Sequence, residues 1–256
     1  MPQSVKLVGI LNITPDSFSD GGKYLDPKDA VVQARRLFAD GADLIDVGAE
    51  STNPWSSPLN PKEEWRRLEP VLTILVKDYP GKISVDTYHP ETAKKALELG
   101  VDIINDVTMF KNPAMTGLAS KYGGKARYIV SHLSLKVKSI ADAHRTMPTH
   151  SVQEVKDELL DKIKELTEHG VPKQNIILDP GIGFGKIPEL NEQLLDFVKG
   201  VPGFNVMVGY SRKRFLGEHR MEVEPNLEAA KTAIAAGTKY LRVHDVLAHK
   251  HLLENM

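Results

Sequence analysis

Apolar residues along the chain fall into two alternating rhythms. Short runs rich in Val, Ile and Leu occur at Lys6–Asn12, Asp43–Gly48, Lys82–Thr87, Asp102–Thr108, Arg127–His132, Asn175–Asp179, Phe204–Tyr210 and Lys239–His244. Each reads as a buried strand. Between them the apolar spacing widens to the helical three-and-four repeat near 27–40, 61–78, 90–99, 113–122, 151–169, 188–199 and 225–236, and again from Val246 to Leu253. Pro27, Pro61, Pro90 and Pro225 stand near helix starts, where a missing N–H costs little. Gly41, Gly100, Gly170, Gly200 and Gly237 close helical runs and predict left-handed C-terminal caps. Eight strand–helix units in 256 residues predict a (β/α)8 barrel, one domain over 1–256. A doubly wound open sheet is the alternative.

In a parallel barrel, functional groups sit at the C-terminal ends of the strands. Alternate strand residues share a face, so the inward polar ends can be read off the chain. The first strand ends at Asn12, the third carries Ser84 and Asp86 on one face, the fourth brings Asn105 and the fifth ends at His132. The sixth brings Asp179 and then the glycine-rich run from Pro180 to Lys186. The seventh leads into Ser211-Arg212-Lys213, and the eighth carries Arg242 and His244 two residues apart. Polar ends on seven of eight strands predict a pocket on one face of the barrel.

Asp86, Asn105 and Asp179 offer acceptors and an amide, which suit a flat heterocycle with an aminopyrimidine donor edge. Lys213, Arg242 and His244 read as a cationic group from strands seven and eight, where barrels commonly bind phosphate. The Asn12 carbonyl oxygen suits a hard cation whose shell is completed by waters and phosphate oxygens. Other polar residues read as structural. Asp46 lies mid-strand, Asp106 faces away from Asn105 as a packing or capping residue, and Arg212 and Arg214 read as solvated. His144 and His150 read as solvated loop residues, and Phe38 and Trp65 as core candidates on helical faces. The remaining histidines show no metal-ligand spacing.

Composition narrows the classes. With 41% hydrophobic residues the chain can build a full core, and a formal net charge of −1 offers no electrostatic footprint for nucleic acid or a membrane surface. The absence of Cys excludes disulfides, thiolate metal sites and Cys nucleophiles. No apolar run reaches the roughly 18 residues of a membrane span, and Met1 to Lys6 has no signal-peptide core. These features lead us to expect a cytoplasmic enzyme.

One stretch gathers the remaining signals. Gly9-Ile-Leu-Asn12-Ile-Thr-Pro-Asp16-Ser17-Phe18-Ser-Asp20-Gly21-Gly22 resembles the N-terminal signature of the dihydropteroate synthases. Further resemblances follow in order at 46–52, 84–87, 104–107, 179–186, 211–213 and 242–245. The resemblance implies a single pterin-binding TIM-barrel domain. It also implies a folate-biosynthesis transferase, a sulfonamide target, that joins a dihydropterin pyrophosphate to p-aminobenzoate, and usually a homodimer. It implies that Asp86, Asn105, Asp179 and Lys213 hold the pterin, with Arg242 against it and reaching the pyrophosphate. Asn12, through Mg2+, and His244 would bind the pyrophosphate, with Thr52 approaching it. Pro54, Phe184 and Ser211 would form the p-aminobenzoate pocket, and the loop with Phe18 and Asp20 would close over the site. Catalysis would be carried by Asp86, Asp179, Lys213, Arg242 and His244.

Three departures from the family pattern stand out, one of them the segment from Lys136 to His150 that carries His144 and His150. Asn53-Pro54-Trp55 replaces the usual Arg-Pro-Gly, and Ser131-His132-Leu133 replaces a Met-His-Met-like end of strand five. A methyl-tetrahydrofolate-binding methyltransferase domain and a pterin-binding paralogue without turnover are the alternative functions.

Overall fold

The computed structural model describes residues 5–14, 26–50 and 58–256. Eight parallel strands close into a barrel in sequence order: β1 Lys6–Asn12, β2 Leu44–Gly48, β3 Ile83–Asp86, β4 Ile103–Asp106, β5 Arg127–Ser131, β6 Ile176–Asp179, β7 Asn205–Val208 and β8 Tyr240–Val243. β8 returns to β1 with Lys6 opposite Tyr240 and Gly9 opposite Val243. The helices outside are α1 Pro27–Ala39, α2 Pro61–Asp78, α3 Pro90–Leu99, α4 Pro113–Tyr122, α5 Ile140–Thr146, α6 Val152–Glu168, α7 Pro188–Gln193, α8 Val223–Ala236 and α9 Val246–Glu254. None of the described helices is long and apolar enough to cross a membrane.

Local chemistry sets the helix ends. Asp26, Asn60, Asn112 and Ser151 each accept a hydrogen bond from the first turn of the helix they precede. Gly100 and Gly237 adopt φ of 103° and 96° and return their N–H groups to the last turns of α3 and α8. Gly200 differs from expectation: it closes a 3-10 stretch, Leu194–Gly200, without a positive φ. The predicted helix over 188–199 breaks into α7 and that stretch, with non-helical geometry at Asp196. Helix α5 was not expected; it is short, and Ser139 caps it by accepting from the Asp142 N–H. Most strands end one or two residues before their apolar runs, because the chain leaves the barrel wall there and the ladder pairing stops.

Apolar residues are buried on both faces of the wall, as a parallel sheet covered by helices requires. Val8, Leu44, Ile103, Ile129, Ile177, Met207 and Tyr240 form a separate cluster inside the barrel. Their neighbours in sequence, such as Leu7, Ile45, Ile104, Val130, Leu178 and Leu241, pack outward with the helices. The inner cluster closes the barrel from below and becomes the floor of whatever lies above it.

Candidate active site

Two residues beyond the floor the inward positions turn polar. Asp46 follows Leu44 at that spacing, Asn105 follows Ile103, Asp179 follows Ile177 and Arg242 follows Tyr240. The strand period of two makes this one layer rather than scattered polar residues.

Asp46 is its hub. It is fully buried; its Oδ1 accepts from Ser84 Oγ at 2.5 Å, and its Oδ2 accepts from Asn105 Nδ2 at 2.9 Å and Arg242 Nε at 2.7 Å. Arg242 Nη2 donates to Asp86 Oδ2 at 3.0 Å, so one guanidinium bridges two carboxylates. Burial, reinforced by the Asp46 charge and opposed by Arg242, raises the Asp86 pKa. Asn105 Oδ1 is buried and has no hydrogen-bond partner among the described residues. A buried acceptor left open costs free energy unless a ligand donor fills it.

Across the mouth, Asp179 Oδ1 accepts from Gly181 N at 2.7 Å, and burial raises its pKa against the pull of Lys213. Burial lowers the Lys213 pKa to about 8. Lys213 Nζ donates to the Ile182 carbonyl and lies 4.8 Å from the centroid of the Phe184 ring. Glycine is needed at 181: φ is 66°, and a Cβ would fall 2.1 Å from the His132 carbonyl oxygen.

At the end of β8, Ser211 Oγ lies 2.9 Å from His244 Nδ1 and accepts from the His244 backbone N–H at 3.3 Å. The direction of the Oγ–Nδ1 bond follows the ring tautomer; with Nδ1 accepting, the proton of a neutral ring lies on Nε2. Burial and the nearby Arg212, Arg242 and Lys213 charges lower the His244 pKa to about 3. His244 is thus a neutral donor at physiological pH, which corrects its reading as a cation.

Asn12 ends β1 opposite Gly48. A Cβ at Gly48 would lie 3.5 Å from Asp86 Cβ and 3.8 Å from Asn12 Oδ1, so the two side chains flank one stretch of backbone. No group of three or more His, Asp or Glu that could hold a metal occurs among the described residues. A lone amide oxygen fits a Mg2+ ion that draws most of its shell from water and substrate phosphate, not an enclosed protein cage.

The barrel mouth thus brings together Asn12, Asp86, Asn105, Asp179, Phe184, Ser211, Lys213, Arg242 and His244. Phe18, Asp20, Thr52 and Pro54 lie outside the described residues, as do Asn53 and Trp55. Several readings change. Arg212 is not solvated: its Nη2 donates to both Asp245 oxygens at 3.1 and 3.2 Å, and its backbone adopts φ 61°. His144 stands on α5 with its ring 5.9 Å from that of Phe184, so it is no solvated loop residue. Asp46 is structural as expected, yet it orients two of the site side chains. Asp106 accepts from Thr108 N and Oγ1 and caps its own turn, as expected. Phe38 and Trp65 pack partly buried against the core. His132, expected as an inward end of strand five, instead packs against Lys186 and against Glu158 of α6, a buried group behind the glycine-rich turn that sequence reasoning did not assemble. A lysine closing a glycine-rich run directly after a strand was its only signal.

The chain was compared with known proteins. The family model described as pterin binding enzyme matches residues 8–244. The type-3 dihydropteroate synthase of Escherichia coli is 40% identical over 252 residues, covering 94% of both chains. The mitochondrial folate synthesis bifunctional protein of Pisum sativum is 36% identical over 261 residues; the alignment covers 94% of this chain but only 50% of that protein. The chain thus spans half the length of that relative. Among solved structures, dihydropteroate synthase from Thermus thermophilus in complex with 4-aminobenzoate superposes with a TM-score of 0.84 at 38% identity, covering 98% of this chain and 93% of that one. The Anaplasma phagocytophilum enzyme with bound 6-hydroxymethylpterin-monophosphate gives 0.82 at 35% identity, with 98% of each chain covered. A family match over most of the barrel, with full-length relatives well above 30% identity, places this chain in the dihydropteroate synthase family of pterin-binding enzymes.

Proposed function

We propose that the protein is a dihydropteroate synthase, which joins the methylene carbon of 6-hydroxymethyl-7,8-dihydropterin pyrophosphate to the amine of p-aminobenzoate. The observation that carries this reading is the open acceptor at Asn105 Oδ1, buried in the same polar layer as Asp86. An aminopyrimidine edge presents N–H donors to such a set. The solved relatives with a pterin phosphate and with 4-aminobenzoate bound support the same pair of substrates.

In this reading the bond from the pterin methylene carbon to the pyrophosphate oxygen breaks, and its electrons leave with pyrophosphate. The arylamine lone pair forms the new C–N bond, and the amine proton passes to solvent. No enzyme nucleophile takes part. Asp86 and Asp179 hold the pterin and face the positive charge that develops on the ring. His244 Nε2–H and the Arg242 face not occupied by Asp46 and Asp86 donate to the departing anion. Phe184 and Ser211 position the second substrate, with Lys213 between the two subsites. Asn12 would hold Mg2+, which when bound offsets charge on the phosphate oxygens. The reading extends to a cytoplasmic homodimer without nucleic-acid or membrane partners, and the near-neutral net charge of −1 supports the last point.

Pyrophosphate release with both substrates, with each omitted, and with Mg2+ or a chelator tests the proposal. Release that needs both substrates and falls on chelation is the expected result. Binding of methyl-tetrahydrofolate without release would move the chain to the methyltransferase alternative. Pterin binding without release would make it a non-catalytic paralogue. Light scattering tests the dimer.

A further inference from the structure

Behind the glycine-rich turn lies a buried amine. Lys186 is 2% exposed, and its Nζ faces His132 Nδ1 at 3.0 Å, the Phe184 carbonyl at 3.1 Å and the His132 carbonyl at 3.4 Å. An ammonium has three N–H donors, and these three acceptors satisfy all of them. Accepting at Nδ1 leaves His132, itself 0% exposed, with its proton on Nε2, which donates to Glu158 Oε2 at 3.1 Å. Glu158 also accepts from Leu135 N at 2.9 Å, so the chain of contacts is anchored on α6. The turn over residues 181–184 is therefore gripped from two sides. Lys186 holds the Phe184 carbonyl from behind, while Lys213 holds the Ile182 carbonyl from the site and lies against the Phe184 ring.

We propose that Lys186, braced by His132 and Glu158, is a positioning residue that sets the height and tilt of Phe184 and so shapes the subsite for the arylamine. The identity of that substrate rests on the reading under Proposed function; the mechanical role does not. Burying an ammonium costs free energy that its hydrogen bonds must offset, and the element those bonds order is the turn that carries Phe184. The charges facing Lys186 are balanced. Burial lowers its pKa to about 7, Asp179, Glu158 and Glu154 favour the ammonium, and Lys213 opposes it. A neutral amine keeps two N–H donors for three acceptors and loosens the grip.

Two measurements test this. Amide exchange over residues 180–187 reports the turn without any catalysis, since Gly183 N donates to Asn191 Oδ1 and Phe184 N to the Gly181 carbonyl. Lys186→Met should speed exchange there by about tenfold or more, equal to about 1.4 kcal/mol of lost local protection. In steady-state kinetics the same variant should raise KM for p-aminobenzoate about tenfold, with a smaller change in kcat and in KM for the pterin. Wild-type KM for p-aminobenzoate should begin to rise near pH ~7, whereas the variant should keep only the later rise that Lys213 causes near pH ~8. If Lys186→Met folds poorly, the His132 pair decides. His132→Asn keeps an acceptor for Lys186 and should leave exchange near wild type, while His132→Leu should reproduce the loosening. Unchanged exchange in a folded Lys186→Met, or equal exchange in the two His132 variants, overturns the proposal. A wild type that releases no pyrophosphate overturns the reading under Proposed function instead, and exchange still decides the role of Lys186.

Discussion

Asp46 accepts three hydrogen bonds from three different strands and has no contact with water. Removing it leaves Ser84, Asn105 and a guanidinium without their shared partner. Asp46→Ala should therefore cost about 3–5 kcal/mol, the range for breaking a buried ion pair from one side. Asp46→Asn keeps one oxygen for Asn105 and Arg242, and its amide can donate to the Ser84 oxygen, so its cost should be clearly smaller. Urea unfolding of both variants checks the order. Asp179 makes the converse case, because its carboxylate is held by only one N–H of the protein among the described residues. Asp179→Asn leaves that bond possible but places a donor where a pterin N–H would arrive. Such a mismatch costs roughly 1–3 kcal/mol, so pterin pyrophosphate affinity by calorimetry should fall by about one to two orders of magnitude while the fold is kept. Neither role could be weighed from sequence alone. Asp179 stands at a strand end before a glycine turn and is conspicuous. The partners of Asp46 lie 38, 59 and 196 residues away, and nothing local announces them.

Strands and helices were legible wherever an element repeats its apolar spacing over two turns or more, as in α2 and α6. Helix α5 escaped because seven residues give too little periodicity, although Ser139 three places before Asp142 is a cap signal. The layer of polar strand ends was readable from the period of two except on β5, where Ile129 in the floor puts Ser131 inward and turns His132 toward Glu158 of α6. The neutral state of His244 was not readable, since it depends on burial and on the charges of Arg212, Arg242 and Lys213 that the fold gathers around it. The link between β5 and α6 carries its own expected outcome. Burial, with the Lys186 charge beside it, lowers the His132 pKa to about 4, against the pull of Glu158. In the unfolded chain it would take up a proton near 6.5. The stability tied to neutral His132 is thus complete above about pH 6.5 and is lost as pH falls toward 4. Unfolding free energy against pH should be steeper in wild type than in His132→Asn across that window, by up to ~1.4 kcal/mol per unit. Equal slopes in urea titrations at several pH values would show that the imidazole is charged in the fold.

The whole barrel works as a vessel with an apolar floor and a polar rim. Ile129 sits in the floor, 1% exposed, beside Ile103 and Ile177 of the adjoining strands. Ile129→Ala should cost about 2–5 kcal/mol through lost burial and a residual cavity, measured by urea unfolding. The bond from Arg242 to Asp46 spans 196 residues and joins the last strand to the second, and β8 pairs directly with β1. The two halves of the polar layer therefore meet only when the ring is complete. A nascent chain on the ribosome holds Asp46 and Asp86 long before the guanidinium that neutralises them has been made. Ligand binding by a chain under synthesis would report the moment of closure, and any truncation before residue 240 would leave a curved sheet with its acidic interior open and no pocket at all.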